Sequence, residues 1–188
     1  MSDSGVISDV TNTLQELLKN QQRPKGQFEI SLSSPAEEDV TPNMKPKVNL
    51  FLFRVVENPF VKNQEWLPVG TDTLTYPPLA LDLFYVLTPF APNKLDEHRV
   101  LGEAMRILHD FAIITPPDMQ GNLAHGVDEI KVDLWQLTVE DLARIWSALT
   151  KPYRLSIGYA VRTLLIDSAI EQGVQRVLEV QQQFVQIK

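Results

Sequence analysis

The chain contains no cysteine, which excludes a disulfide framework, thiolate metal sites, iron–sulfur clusters and a cysteine nucleophile. It has only three histidines, His98, His109 and His125. His98 and His109 share a predicted helix but stand about 16 Å apart at 1.5 Å rise per residue, too far to share an ion. Neither begins an H-E-x-x-H pair, so no metal is expected. Nor does any window approach the ~18 consecutive apolar residues of a membrane span. The first twenty residues carry acidic side chains and no apolar run, unlike a signal peptide. Positive charge is also in deficit. Lys and Arg number 17 against 24 Asp and Glu, a net charge of −7, which argues against nucleic-acid and anionic-membrane binding. The expectation is a soluble protein made in the cytoplasm.

What is present is 188 residues, a length suited to one domain with its own core. Ten of the thirteen prolines fall between Pro24 and Pro92, so the two halves are built differently. Residues 5–19 predict a helix, with Val6, Val10, Leu14 and Leu17/Leu18 on one face and Asp9 on the polar face. Residues 20–46 read as a long loop holding one edge strand, Phe28–Ile30–Leu32. Val48–Val56 is apolar on both alternation sets, the pattern of a central strand covered on both faces. Residues 57–78 read as a connection broken by prolines and Gly70.

Leu79–Thr88 predicts a second buried strand, ended by Pro89. Asn93 caps a helix to Phe111, with Asp96 and Glu97 in its first turn. Gly102 inside that helix suggests a close helix–sheet approach. Residues 118–128 read as a loop, and Ile130, Val132 and Leu134 as a half-exposed strand. Thr138 and Asp141 form a capping box, followed by the stripe Leu142, Ile145, Trp146 and Leu149. Residues 153–168 predict a long strand, with Leu155, Ile157, Tyr159, Val161 and Leu165 on one face and Gly158, Ala160, Leu164 and Ile166 on the other. Residues 174–188 fit a helix or a strand, the strand being slightly favoured by their Val and Phe content. This order of elements gives α+β, a mixed sheet flanked by helices.

No catalytic motif emerges. Gly121–Gly126 lacks the Lys-Ser/Thr of a phosphate loop, there is no G-x-G-x-x-G, and no serine sits in a G-x-S-x-G elbow. The paired carboxylates Glu37–Glu38 and Glu140–Asp141 read as solvated charges. A hydrolase would require His109, Asp110, Asp167 and Ser168 to converge in space. Tyr76, ahead of Pro77–Pro78, is either a packed loop anchor or a binding residue.

Three segments carry a resemblance: YPPLALDLFYVLTPFAP (76–92), EHRVLGEAMRILHDFAIITP (97–116) and LTVEDLARIWSALTKPYRLSIGYAVRTLLIDS (137–168). With the opening GVISDVTNTLQELL, they resemble the N-terminal domain of the cap, or tail-terminator, proteins of extracellular contractile injection systems of the antifeeding-prophage and Photorhabdus virulence cassette type. The resemblance covers most of residues 5–168. It implies a tail-terminator-like domain over residues 1–168, with the loop 20–46 inside it, and a tail at 169–188. It further implies a homohexameric ring that ends the inner tube, holds the last sheath ring and takes part in a released or anchored particle. The partners would be the chain itself, the tube protein and the sheath protein, with no cofactor and no catalysis. Alternatives are the tail terminator or neck adaptor of a contractile phage, and the hydrolase above. For partner contact the sequence offers Tyr76 and the tail residues Leu178, Val180, Phe184, Val185 and Ile187. That tail either adds as a strand to a neighbour or pairs with its own sheet.

Overall fold

Val6, Val10, Leu14, Leu17 and Leu18 line one face of helix α1, Val6–Asn20, and all five are buried. The computed structural model describes residues 5–62 and 64–173. β1 (Glu29–Ser31) pairs in parallel with β2 (Lys47–Glu57), and β2 pairs antiparallel with β5 (Leu79–Phe90). Between β2 and β5 lie β3 (Leu67–Val69) and β4 (Thr73–Thr75). Then follow α2 (Lys94–Asp110), β6 (Ile113–Ile114), the one-turn α3 (Leu123–Gly126), β7 (Ile130–Trp135), α4 (Val139–Ala148), β8 (Ile157–Ile166) and β9 (Glu171–Gly173). The main sheet has the order β1-β2-β5-β8-β7-β6, and β3-β4-β9 form a second, small sheet. This is the mixed sheet flanked by helices that the element order predicts.

β5 is the pivot of the fold. Leu81, Leu83, Tyr85 and Leu87 on one face join α1, α2, Tyr159 and Val161 in a single apolar cluster. The opposite face, from Ala80 through Phe84 and Val86 to Phe90, is buried as well. There Leu142 and Trp146 of α4 are buried outside that cluster, and Trp135 stands edge-on to Phe84 at 4.8 Å. A Cβ on Gly158 would meet the Trp135 carbonyl at 2.8 Å and the Leu137 side chain at 2.9 Å. The close approach expected at Gly102 therefore occurs at Gly158. Gly102 is exposed with nothing near its absent side chain.

Four further expectations change. β2 is buried at Val48–Leu50 but exposed at Arg54 and Val55, because β1 pairs only with Lys47–Asn49 and leaves the rest of β2 as an open edge. β5 runs on through Pro89 to Phe90. Its pairing with β8 ends at Leu87, so Pro89 has a strand on one side only, where a missing N–H is tolerated. β8 begins at Ile157, not Tyr153. It also carries a bulge: Leu81 pairs with Leu164 but Leu83 with Val161. The extra residue rotates Leu164 onto the Val161 face, whereas simple alternation placed it with Gly158 and Ala160.

The local chemistry of the ends explains their positions. Asn93 Oδ1 accepts from the Asp96 N–H at α2, and Thr138 and Asp141 form the expected capping box at α4. α4 ends in paired bonds from Lys151 N–H to the Trp146 carbonyl and from Thr150 N–H to the Ser147 carbonyl. That motif puts Thr150 at φ +56°, a left-handed position normally given to glycine. Thr150→Gly is expected to raise stability by about 0.5–1 kcal/mol, as left-handed strain is relieved and partly offset by glycine's unfolded-state entropy. Chemical denaturation checks it. α1 is tied down by its own polar residues too. Asp9, expected on the solvent face, accepts from the Asn122 N–H at 3.0 Å, and Thr13 Oγ1 from the Gln120 N–H at 2.9 Å.

The buried tyrosines set an alkaline limit. Burial pushes the Tyr85 hydroxyl up to about 12, with the Thr11 hydrogen bond at 2.8 Å acting in the opposite sense. Burial does the same to Tyr159, also to about 12. From the ordinary value of 10 up to about 12, the unfolded chain gives up protons that the fold retains. Stability is thus complete below pH ~10 and falls as pH rises, by on the order of 2 kcal/mol per tyrosine. Tyr85→Phe is expected to flatten that decline in denaturation midpoints measured across this range.

Candidate assembly surface

The strand ends at Glu57, Leu79 and Ile166 lie together, and an arm grows from them. Asn58 builds its base. Buried itself, Asn58 donates its backbone N–H to the Ala80 carbonyl at 2.8 Å and Nδ2 to Asp82 Oδ1 at 3.0 Å. Its Oδ1 accepts from the Phe60 N–H at 2.9 Å, fixing an Asx turn. Asp82 in turn faces Arg162, 3.7 Å away, which also approaches Asp133 at 3.5 Å. At the tip of this secured turn Phe60 is 94% exposed.

Further along, β3 and β4 form a hairpin around Gly70 at φ +73°, and β9 pairs with β4 from the far end of the chain. Tyr76 donates its N–H to the Ile170 carbonyl at 2.9 Å, and its ring meets Trp66 edge-on at 5.4 Å. Half of Tyr76 nonetheless stays exposed, so it is an anchor and a surface residue at once. Leu67, Val69, Leu79 and Ile170 are exposed around it. Exposed apolar side chains gathered at one end of a rigid sheet mark an interaction surface. A groove of about 390 Å³ runs between Tyr76, Leu79, Ile166 and Ile170.

Of the residues picked from sequence, Tyr76 lies in this arm. Leu178, Val180, Phe184, Val185 and Ile187 lie outside the described residues. Phe60 was missed, because a single Phe after a proline gives no one-dimensional sign of exposure; Asn58-Pro59 is the one turn signal there. The hydrolase alternative fails on placement. His109 lines a different groove with Leu134 and Tyr159, Asp110 is paired with Arg106 at 2.5 Å, and Asp167 and Ser168 line the arm groove. Tyr159 and Ile166, which mark the two grooves, are separated by roughly 20 Å of strand. Among the described residues no three His, Asp or Glu side chains are placed to hold a metal ion, and no helix is long and apolar enough to cross a membrane.

Two solved structures share this fold. One is the sheath/tube terminator of the PVC extracellular contractile injection system in its extended state, 17% identical with a TM-score of 0.70 over 100% of this chain and 66% of that one. The other is the tube-terminating cap of the anti-feeding prophage, 16% identical with a TM-score of 0.67 over 94% of this chain and 61% of that one. The chain thus spans less than two thirds of either protein. No curated protein sequence matches it. The model of the Pvc16 N-terminal domain matches residues 9–179, which takes in all of the main sheet, α1 but for its first three residues, the other helices and the arm. On that match, the chain belongs to the family of Pvc16 N-terminal domains.

Proposed function

We propose that this chain is a structural cap of a contractile injection particle, ending the inner tube and anchoring the last sheath ring. The family match across residues 9–179 carries the reading. The geometry supports it: a sheet whose pivot strand is buried on both faces gives a rigid body, and the arm offers apolar surface for neighbours. The role is mechanical and calls on no catalytic residue, cofactor or metal. The subunits form a closed hexameric ring through heterologous contacts. After synthesis in the cytoplasm the ring joins the particle, with tube and sheath proteins as partners. Tyr76 belongs to the docking surface. The tail at 169–188 leaves the domain through β9, and Leu178, Val180, Phe184, Val185 and Ile187 contact a neighbouring subunit or the sheath.

The test mixes the purified chain with tube and sheath subunits. Light scattering is expected to show rings, and electron microscopy to show them seated on one end of each tube, which then stops growing. A chain that stays monomeric and binds neither subunit overturns the proposal.

A further inference from the structure

The main sheet keeps one long edge unpaired. β1 covers β2 only at Lys47–Asn49, so the outer edge of β2 is open over residues 50–57, roughly 26 Å of strand. A bulge between Leu52 and Arg54 divides it and leaves residues 54–57 as the regular stretch nearest the arm. Asn58 gives its N–H inward to the Ala80 carbonyl, so by antiparallel alternation Val55 and Glu57 turn theirs outward. Among the described residues no backbone hydrogen bond reaches that edge. Open edges of this kind accept a further strand. The side chains along it are also incompletely covered. Val55, on the face of the apolar cluster, is 42% exposed although it pairs with fully buried Leu83. Arg54, on the other face, is exposed; among the described residues it meets the Phe84 ring at 5.4 Å and no carboxylate.

The chain carries a segment with the matching pattern. Residues 174–188 follow β9 and read VQRVLEVQQQFVQIK. Leu178, Val180 and Phe184 share one alternation set, and Glu179, on the other, is the one acidic side chain of the segment. Laid antiparallel along β2 with Leu178 beside Val55, the segment brings Glu179 beside Arg54 on the opposite face. Apolar then meets apolar, and the anion meets the unpaired cation. A slip of one residue breaks both matches, and in the parallel sense they cannot coincide. The course of β9 shows which copy supplies the strand. Glu171 pairs with Thr75 and Gly173 with Thr73, and Thr75 is the nearer of the two to β5. The chain therefore passes Gly173 heading away from its own main sheet, and the residues beyond it span up to ~50 Å when extended.

We infer that residues 177–180 of one copy add as an antiparallel strand to the outer edge of β2 in a second copy, with Leu178 beside Val55 and Glu179 beside Arg54. Backbone hydrogen bonds supply the affinity, and these two side-chain pairs fix the register. The contact is head-to-tail, so repetition closes a ring when its rotation closes. The inference rests on the cap reading above and names the subunit contact that reading requires.

The chain has no cysteine, so disulfide trapping reads the contact directly. An equimolar mixture of full-length Val55→Cys and Leu178→Cys chains, oxidised, should give a linked pair holding one of each, identified by mass spectrometry of the joined peptides. Charge reversal gives a second readout. Arg54→Glu alone and Glu179→Arg alone each set like charges opposite one another, and each should weaken self-association in sedimentation by about tenfold per contact. The double variant should recover it. Arg54 and Val55 are exposed, so folding is expected to persist, and far-UV circular dichroism checks this. Single variants that associate like the wild type, a double variant no better than either, or the absence of a mixed disulfide overturns the inference. So does a disulfide formed only inside a chain carrying both cysteine substitutions, since the tail then pairs with its own sheet. A wild-type monomer that still binds tube ends overturns the subunit contact alone. Rings that trap the mixed disulfide yet bind neither tube nor sheath overturn the cap reading and leave the strand contact standing.

Discussion

Arg154→Ala is expected to lower the unfolding free energy by about 3–5 kcal/mol, read as a drop in the urea midpoint at constant slope. The reason lies in what the change leaves behind. Glu97, in the first turns of α2, has a side chain 6% exposed and takes the Arg154 guanidinium at 2.5 Å on one oxygen and Lys94 at 2.8 Å on the other. Lys94 is 75% exposed, so water screens it and its flexible stem holds it poorly in place. Without Arg154 the carboxylate stays buried with that one weak partner. The guanidinium also lies 4.6 Å from the Phe90 ring centroid, and this contact is lost too. Glu97→Gln combined with Arg154→Met removes both charges and keeps most of the volume, so the double variant should lose far less than Arg154→Ala. A loss under ~1 kcal/mol for Arg154→Ala would class the pair with ordinary surface ion pairs and sink the argument.

The segment that carries Arg154 shows where sequence patterning reaches and where it stops. α1, α2 and α4 were legible because each carries a stripe of period 3.6, to which two add an end signal: Asn93 for α2, and the Thr138–Asp141 box for α4. β5 was legible because both of its alternation sets are apolar. The same property hid the β8 bulge, since a one-residue slip in a strand apolar on both sides leaves no mark in the pattern. β3, β4 and β9 are three residues each and interrupted by Pro68 and Gly70, and β9 meets β4 from almost a hundred residues away. No local signal encodes such a pairing. The motif blocks that carry the family resemblance fall on β5, α2, and α4 with β8, which are core elements. They report the fold more directly than the surfaces through which it would act. Tyr76 could be picked out because it precedes two prolines. Trp146 sits in the apolar stripe of α4, and its burial agrees with that pattern.

Leu83→Ala is expected to cost about 2–5 kcal/mol, and to lower the melting temperature by roughly 5–15 °C for a chain of this size. Leu83 is fully buried at the centre of β5, paired with Val55 on one side and Val161 on the other, and its side chain joins the cluster beneath α1 and α2. Truncation there leaves a cavity that two flanking strands and two helices cannot collapse to fill. Phe60→Ala removes a larger apolar side chain and is expected to change stability by no more than about 0.5 kcal/mol, because at 94% exposure Phe60 has almost no contacts to lose. Calorimetry on both variants checks the contrast, and a Phe60→Ala loss comparable to that of Leu83→Ala would show that Phe60 packs within its own subunit. The two residues therefore divide the work of apolar surface. On β5 it holds one chain together. On the Asn58 turn it stabilises nothing within the chain and is held out rigidly, an arrangement with a physical use once a second surface covers it.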